Sequence, residues 1–372
     1  MRKKLIEVLK DRISHADVGW LVRQGWNLLS VHASFKRKKV MNSPIFGGFV
    51  ITYRCNETCP MCNVYKLRDK VRGMKTDEWL DIVDQFAELK VAGISIAGGE
   101  PLVYEGILDV IRRIKSHKIP VSISTNGLLL RRKGLADELL DTGIDSIAIS
   151  IDGASPAEHD ESRGIKGAFE RTIDAIKILV EARNNRRDLK KKIFITIASV
   201  INAHNYKNFE GIIKLAEELG VDNVSLNPVQ DTYVNNAAGH ISDNAPSDLL
   251  FDKADNEITD IPKLLRKLKK RYKIMDSSNN YLDVLEDFFQ KKEYPVQCYA
   301  PYFAFYVDCF QNILPCGGYY YDCRSVDQLE KGQSLKDIWY SKDYQNERDK
   351  LRDCRNCYYS CMAELNMNYV KK

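Results

Sequence analysis

The sequence predicts an α/β fold in which an open, partial barrel of six βα units is followed by a small cysteine-rich domain. Short apolar, β-rich runs alternate with longer amphipathic stretches between Gly47 and about Gln230, which is typical of βα units around a parallel sheet. The ten cysteines fall into two dense groups, near the start and in the last quarter of the chain. The chain has 372 residues, 44% of them apolar. It can therefore form two or three domains with ordinary cores, and disordered or fibrous proteins are excluded.

Each predicted strand is a short run of apolar and β-branched residues. The six strands are Gly48–Tyr53, Gly93–Ala97, Val121–Ser124, Ser146–Ile151, Ile193–Val200 and Val224–Asn227. Between them, apolar residues recur every three or four positions, which predicts helices. The clearest are Thr76–Leu89, Tyr104–Ser116 and Gly167–Ala182. In such a sheet the βα loops converge at the carboxyl ends of the strands, so the functional site is expected there.

The charge pattern bears on partners and location. There are 56 basic and 51 acidic residues, a net charge of +5, which is too mild to indicate nucleic acid as the main partner. No apolar run reaches the roughly 18 residues needed to span a bilayer. Charges follow Leu5 where a signal peptide would carry its apolar core. We therefore expect a cytoplasmic protein.

Residues 1–46 are predicted to form a basic helical N-terminal arm. The arm holds ten Lys or Arg residues against three acidic ones. Its apolar residues keep helical spacing, so one face is expected to be buried and the other to be basic. The expected arrangement is a helical pair on the outside of the barrel, with a solvated basic face. The alternative is peripheral docking of the arm on an anionic membrane surface or substrate.

The remaining predicted domains follow in order. Residues 47–230 form the partial barrel, 231–297 a helical linker, and 298–372 the cysteine-rich domain. The linker carries seven Lys or Arg residues between positions 263 and 273, with leucines on the opposite side of the helix. A solvated helix face is the expected role of this basic run.

The first cysteine group has the spacing C-x3-C-x2-C and follows the first predicted strand. Cys55, Cys59 and Cys62 suit a [4Fe-4S] cube whose fourth iron lacks a protein ligand. Zinc is the alternative, but structural zinc sites usually close with four ligands from paired cysteine units. The nearest histidines, His32 and His117, lie outside the motif. The spacing therefore favours iron–sulfur over zinc.

With its position after the first strand of a six-unit βα region, this motif resembles that of the radical S-adenosylmethionine (radical SAM) superfamily. The resemblance implies a partial (β/α)6 TIM-like barrel in which the unligated iron chelates the methionine moiety of SAM. Reductive cleavage of SAM then gives a 5′-deoxyadenosyl radical that abstracts hydrogen from a substrate. A reductant such as flavodoxin or ferredoxin is implied as a partner.

A second motif, Gly98-Gly99-Glu100-Pro101, follows the second predicted strand, about 36 residues after the cysteine motif. It resembles the family's GGEP element, whose backbone and carboxylate receive the methionine ammonium of SAM. Glycines let the backbone approach a ligand closely, and Glu100 offers a charge-assisted acceptor.

Polar residues close the later strands, where the family contacts the ribose hydroxyls and the carboxylate of SAM. Turn formation is the alternative role of these residues. The resemblance implies cofactor contacts by Ser124, Asn126, Ser150, Asp152 and Arg163, and less strongly by Asn202 and Asn227. The residue before the third cysteine, often aromatic in the family, is Met61 here, so Tyr65 is a substitute candidate for the adenine contact.

The second cysteine group resembles the SPASM and shorter twitch extensions of radical SAM enzymes, which bind auxiliary [4Fe-4S] clusters. A full SPASM pattern is not present, so the single-cluster twitch form is expected. The implied ligands are Cys298, Cys316, Cys354 and Cys357, with Cys361 as an unassigned fifth. Structural zinc is the alternative for the Cys354 and Cys357 pair, and Cys309 and Cys323 are expected to be free buried thiols.

The resemblance implies hydrogen abstraction but does not choose the substrate. The arm has a helical pattern and lacks the alternating strands of a winged-helix leader-binding module. We therefore expect a small-molecule or lipid-linked substrate. A ribosomal-peptide maturase, catalysing crosslinking or epimerisation, is the first alternative. A zinc-stabilised nucleic-acid-binding protein, colourless and strongly salt-dependent in its binding, is the second.

Overall fold

The structure is a computed structural model. It describes residues 18–62, 64–67, 73–186, 193–229, 249, 251, 256–290, 297–317, 333–355 and 360–367.

One sheet organises the described residues. Its strands are β1 (Phe46–Val50), β2 (Gly93–Ala97), β3 (Val121–Thr125), β4 (Ser146–Ser150), β5 (Phe194–Ile201), β6 (Asn223–Pro228), β7 (Ala304–Asp308) and β8 (Ile313–Leu314). Their spatial order is β6-β5-β4-β3-β2-β1-β7-β8, and only the β7–β8 pair is antiparallel. The predicted partial (β/α)6 barrel is confirmed, and the last two strands add to it.

The helices follow the strands in the expected alternation. They are α1 (Val18–Arg37), α2 (Thr76–Glu88), α3 (Ile107–Ser116), α4 (Leu135–Asp141), α5 (Pro156–Arg163), α6 (Ala168–Asn185), α7 (Phe209–Glu218), α8 (Ile261–Arg271), α9 (Asn279–Phe289), α10 (Ala300–Phe303), α11 (Leu335–Tyr340), α12 (Lys342–Lys350) and α13 (Ser360–Asn366). Short 3₁₀ turns lie at Val64–Leu67, Pro101–Val103, Leu128–Arg131, Tyr206–Asn208 and Asn256–Asp260.

The predicted strands are present with shifted ends. The largest shift is in β1, which ends at Val50 and not at Tyr53. The carbonyl oxygens of Thr52 and Arg54 accept hydrogen bonds from the loop after β2. This part of the chain therefore belongs to the site loops and leaves the regular ladder.

Large aliphatic side chains cover one face of the sheet. In the paired register, Ile96, Ile123, Ile147 and Ile195 form one fully buried row across β2 to β5. The helices pack on this side. In α2, for example, Trp79 and Phe86 contact Phe49 of β1. This layer is the barrel's main core.

The opposite, inner face carries mostly small side chains. Ser95 and Ser124 are exposed, and Ser150, Thr196 and Ser225 are half-buried, with Ala148 and Ala198 beside them in the same register. Every second strand residue therefore points into an open interior with accessible hydroxyl groups.

The N-terminal arm departs from its prediction. Residues 1–17 lie outside the described part of the chain. In α1, the expectation that the apolar stripe is buried is wrong for Trp26 and Leu29, which are exposed, although Val31 is buried. Polar residues such as Gln24 and Ser34 occupy the buried side. Gln24 donates to the Lys90 carbonyl oxygen on the barrel, and Ser34 donates to Asn42 in the segment after α1, which in turn donates to the Tyr302 carbonyl oxygen.

The basic run of α8 behaves as predicted. Arg266 pairs with Asp283 and Glu286, while Leu265 and Leu268 are buried. Most of the basic side chains therefore lie on a solvated face. Among the described helices, none is long and apolar enough to cross a membrane.

Candidate functional site

The loop after β1 holds the first three cysteines at the carboxyl edge of the sheet. The Cys62 N–H donates to the Cys59 carbonyl oxygen at 2.9 Å, which curls the loop. Burial raises the pKa of the Cys55 thiol to about 12, and it raises the pKa values of Cys59 and Cys62 as well. The backbone N–H groups of Glu57 and Val64 donate to Cys55 and Cys62 and act in the opposite direction.

These thiols fit an iron–sulfur cluster. Cys59 is buried, Cys55 and Cys62 are half-buried, and the three thiols interact electrostatically, so ionising them requires a strong local positive charge, such as bound metal provides. In the part of the chain that the structure describes, no three His, Cys, Asp or Glu side chains could hold a single metal ion. The thiolates of a cube bind different irons and need not converge on one point.

Buried charged side chains lie next to Cys59. The guanidinium of Arg163 lies 2.6 Å from an Asp152 carboxylate oxygen and 3.8 Å from a Glu57 carboxylate oxygen. Its Nη1 atom is 4.0 Å from Cys59 Sγ. The Cys59 thiol donates to Glu57 at 3.5 Å. A buried positive charge beside a thiol favours the thiolate, which is the form that binds iron.

The Gly-Gly-Glu-Pro segment is joined to the cysteine loop through backbone hydrogen bonds. The Gly99 N–H donates to the Thr52 carbonyl oxygen at 2.7 Å, and the Glu100 N–H donates to the Arg54 carbonyl oxygen at 2.8 Å. A Cβ atom on Gly99 would lie 2.3 Å from that Arg54 oxygen. Glycine is therefore required for the two loops to meet.

The carboxylate of Glu100 is buried at the junction of three loops. It accepts hydrogen bonds from the Leu102 N–H at 2.9 Å, the Thr125 hydroxyl at 2.7 Å and the Asn126 N–H at 2.7 Å. Burial nevertheless raises its pKa to about 7. Three bonds leave capacity for one further donor on a carboxylate. A ligand ammonium is the kind of donor that would also ionise this group.

The other predicted cofactor residues divide into two sets. Ser124 and Ser150 lie on the open inner face, at or near the carboxyl ends of β3 and β4. Asn126 and Asp152 are buried and hold loops together. Asn126 donates to Asn56 in the cysteine loop at 2.7 Å, and Asp152 accepts from the Val200 N–H at 2.7 Å. Cofactor contact by these residues and by Arg163 stays a prediction.

The weaker candidates for cofactor contact also lie at the carboxyl edge of the sheet. Asn202 is fully buried after β5, and Asn227 at the end of β6 accepts a hydrogen bond from the Ser360 N–H at 2.7 Å. Asn227 therefore joins the barrel to α13. Met61 and Tyr65 are both half-buried near Cys62 in the chain.

The second cysteine group lies toward the amino end of the seventh strand. Cys298 precedes α10 and β7, and the register that pairs Tyr306 with Leu314 brings Cys316 level with Ala304. Asp308, at the other end of β7, accepts a hydrogen bond from the Tyr53 hydroxyl beside the first cysteine loop at 2.9 Å. Ala304 and Asp308 are four residues apart, so a rise of about 3.3 Å per residue separates the two levels by roughly 13 Å.

Three of the predicted auxiliary ligands come together there. Cys298, Cys316 and Cys354 share one apolar cluster with Met362. Burial and the neighbouring thiols of Cys316 and Cys354 raise the pKa of Cys298. The Ala300 N–H and the Asn366 amide, 3.9 Å away, donate to its sulfur. This donor set fits a metal cluster of thiolates.

The remaining cysteines are not part of that described trio. Cys357, Cys323 and the side chain of Cys361 lie outside the described residues. Cys309 is buried, as predicted, but it packs in the barrel core and not with Cys298.

Sequence reasoning missed the buried Glu57 and the link between Tyr53 and Asp308. The signal for Glu57 was its position between two cysteines, where a carboxylate beside thiolates requires a compensating cation. The cation is Arg163, about a hundred residues away in sequence, so only the fold reveals the pair.

Comparisons with known proteins agree with this site. Residues 49–216 match the model of the radical SAM superfamily. The chain is similar to a PqqA peptide cyclase of Granulibacter bethesdensis, with 29% identity over 181 residues, 48% of this chain and 46% of that protein. It is also similar to an AdoMet-dependent heme synthase of Methanosarcina barkeri, with 30% identity over 180 residues, 48% of this chain and 49% of that protein. These matches span about half the length of those relatives.

Solved structures show the shared fold. SuiB of Streptococcus suis bound to its precursor peptide SuiA has a TM-score of 0.64 and 17% identity, covering 89% of this chain and 75% of that one. The anSMEcpe structure with bound AdoMet has a TM-score of 0.60 and 18% identity, covering 88% of this chain and 93% of that one. Together with the family match to residues 49–216, these similarities favour the iron–sulfur enzyme over the zinc-stabilised binding protein. Residues 49–216 of the chain therefore resemble the radical SAM superfamily, whose members use a [4Fe-4S] cluster and SAM.

Proposed function

We propose that the protein is a radical SAM enzyme that modifies a peptide bound in the hydrophilic interior of the barrel. The observation that carries this proposal is the inner face of the sheet, with its accessible serine and threonine side chains. A peptide offers one donor and one acceptor at nearly every residue, which such a face can satisfy. An acyl chain would require an apolar lining. The interior therefore favours a peptide over the lipid-linked substrate that the sequence led us to expect.

The relatives support the same choice. The cyclase is named for the peptide PqqA, and SuiB was solved with the precursor peptide SuiA bound. Another solved structure of anSMEcpe holds a peptide together with AdoMet. The solved structures cover most of this chain, including much of its C-terminal part.

The proposed roles at the carboxyl edge follow from the contacts. Cys55, Cys59 and Cys62 would hold the SAM-binding cluster, and Glu100 would accept the methionine ammonium. The cluster and SAM together supply the radical that removes hydrogen from the substrate, with an electron from a flavodoxin or ferredoxin.

Other residues would shape this pocket. Ser124 and Ser150 face the interior, where they can hydrogen-bond to cofactor hydroxyls. Asn126 would hold the loop after β3 against the cysteine loop. Arg163, held by its ion pair with Asp152, would keep Cys59 in position and balance part of the charge of the thiolates.

The second thiol group would hold an auxiliary [4Fe-4S] cluster. Cys298, Cys316 and Cys354 would bind it, with Cys357 or Cys361 as the fourth ligand. The group is roughly 13 Å from the carboxyl edge along β7, which suits electron transfer better than direct binding of substrate. When bound there, such a cluster would supply a centre that accepts or donates one electron.

Substrate class can be tested without knowing the substrate. Reconstituted protein with SAM and dithionite is mixed with fractions of an extract from the source cells, and 5′-deoxyadenosine is measured. We expect a peptide fraction to stimulate its formation, and protease treatment to abolish the effect. If the fractions come from cells grown on deuterated amino acids, the product should gain deuterium. Stimulation by a protease-resistant or lipid fraction would restore the small-molecule or lipid-linked substrate.

A further inference from the structure

The helix α1 presents its apolar side to solvent. Val22, Trp26 and Leu29 recur at spacings of four and three, so they lie on one helix face. Their exposed fractions are 66%, 57% and 78%. We call these three residues the apolar helix face.

The orientation of α1 is fixed by the contacts of its other side. The Gln24 amide donates to the Lys90 carbonyl oxygen at 3.1 Å, and the Ser34 hydroxyl donates to the Asn42 amide oxygen at 2.9 Å. Phe35 is buried and packs on Tyr299 at 4.5 Å between ring centroids. Rolling the helix to bury Trp26 would break these contacts, so its exposure is a property of the fold.

The charge around this face has one sign. Residues 18–46 contain five basic residues and no acidic one. Four of the basic residues form the exposed run 36–39, at the end of α1, which we call the basic end. The preceding residues 1–17 contain five basic and three acidic residues. Neither that segment nor a second copy of the helix would bring a complementary charge, whereas an anionic surface would.

We propose that the apolar helix face and the basic end dock the enzyme on the surface of an anionic lipid bilayer. Tryptophan prefers the interface between headgroups and acyl chains, and neighbouring Lys and Arg residues bind anionic headgroups. Such a helix lies in the plane of the interface. Each basic residue contributes about fivefold to binding at low salt.

The position of α1 keeps the reaction site accessible. Lys90, which contacts α1, precedes β2, and Tyr299 precedes β7. The helix is therefore attached near the amino ends of these strands. The cysteine loop and Glu100 lie at the carboxyl ends, so docking leaves that entrance facing away from the bilayer.

Vesicle sedimentation tests the proposal with the full-length protein. We expect binding to vesicles of phosphatidylcholine with about one-third phosphatidylglycerol, and at least tenfold weaker binding to phosphatidylcholine alone or at high salt. Trp26→Ser and Leu29→Ser should each weaken binding about tenfold. Ile178→Ser, at an exposed apolar position on α6, is the matched control and should change nothing.

Charge and fluorescence provide independent readouts. The pair Lys38→Glu and Lys39→Glu should abolish most binding, whereas the pair Lys267→Glu and Lys270→Glu on α8 should have little effect. Tryptophan emission should shift to the blue on vesicle addition, and Trp26→Ser should reduce the shift, since Trp79 and Trp339 are buried and Trp20, on the same helix, is half-buried. SAM cleavage without vesicles should be unchanged in all these variants.

Three results would overturn the proposal. The first is equal binding of the wild type to neutral and anionic vesicles, or no binding to either. The second is unchanged vesicle binding in both Trp26→Ser and the Lys38 and Lys39 pair. The third is that these variants weaken binding of an acidic peptide substrate while vesicle binding is absent, which would assign the surface to that partner.

Discussion

The two thiol groups lie toward opposite ends of the β1–β7 strand pair, and their surroundings differ. The first is surrounded by charged and polar groups, with Arg163, Glu57 and Glu100 all buried within its loops. The second lies in an apolar cluster with Met362 and aromatic residues such as Tyr299. A site that exchanges a charged, zwitterionic ligand needs the first environment. A cluster closed by four thiolates needs only amide donors and exclusion of water.

The largest effect is expected when only the cysteines of the first group are removed. Replacing Cys55, Cys59 and Cys62 together by Ala should abolish 5′-deoxyadenosine formation with dithionite, because no cluster would remain to bind and reduce SAM. Iron should fall by about half, on the basis of one cube in each group. Chromatography of the product and iron analysis check both results. Cys309→Ala is the control, and we expect its iron and SAM cleavage to match the wild type. SAM cleavage by the triple variant would contradict the assignment.

The second prediction concerns the removal of one cysteine from the other group. Cys298→Ala should also remove about half of the iron but leave SAM cleavage within about threefold of the wild type, because that reaction belongs to the carboxyl edge. The auxiliary cluster connects distant segments, so thermal unfolding should begin several degrees lower. Iron analysis and calorimetry measure these changes. Unchanged iron in this variant would show that Cys298 binds no auxiliary cluster.

A smaller effect is expected at Glu100. Glu100→Gln replaces one carboxylate oxygen by an amide nitrogen, which donates hydrogen bonds and cannot accept them. SAM binding should weaken by about 1.5–3 kcal/mol, because the charge-assisted contact with the ammonium is lost. Equilibrium binding of SAM to the reconstituted protein measures this. Glu105→Gln, at an exposed position nearby, should bind SAM normally, and equal affinity of both variants would move the ammonium site elsewhere.

The pH dependence of SAM binding gives the smallest expected effect. Burial raises the pKa of Glu100 to about 7, so the free protein protonates it as the pH falls through that value. A neutral carboxyl attracts an ammonium less, and SAM affinity should fall by up to about tenfold per pH unit below 7. In the absence of SAM, the same raised pKa contributes stability below the unfolded value that is lost as the pH rises through about 7. Glu100→Gln should flatten the affinity profile, and a slope that persists in this variant would assign the titration to another group.

The sequence was sufficient for the barrel because its strands and helices have regular patterns. In Ile193–Val200, buried residues such as Ile195 and Ile197 alternate with half-buried ones such as Thr196 and Ala198, and these are the two faces that the structure shows. The cysteine and GGEP motifs predicted the carboxyl edge because both are short and follow strands directly.

The features that could not be predicted from the sequence depend on contacts between residues that are far apart in the chain. The pairing of β7 with β1 joins residues about 250 positions apart, and no local pattern in Ala304–Asp308 indicates that partner. The orientation of α1 was predicted incorrectly because helical periodicity shows that a stripe exists but not which stripe the barrel binds. Gln24 and Ser34 decide it through single hydrogen bonds.

The central claim is that the two thiol groups form separate centres, only one of which meets SAM. Electron paramagnetic resonance of the reduced protein, with and without SAM, tests it directly. In the wild type, SAM should shift one cluster signal and leave a second unchanged, and the triple variant at Cys55, Cys59 and Cys62 should show only the signal that SAM does not alter. A single signal in the wild type, or a remaining signal in the triple variant that responds to SAM, would contradict the claim.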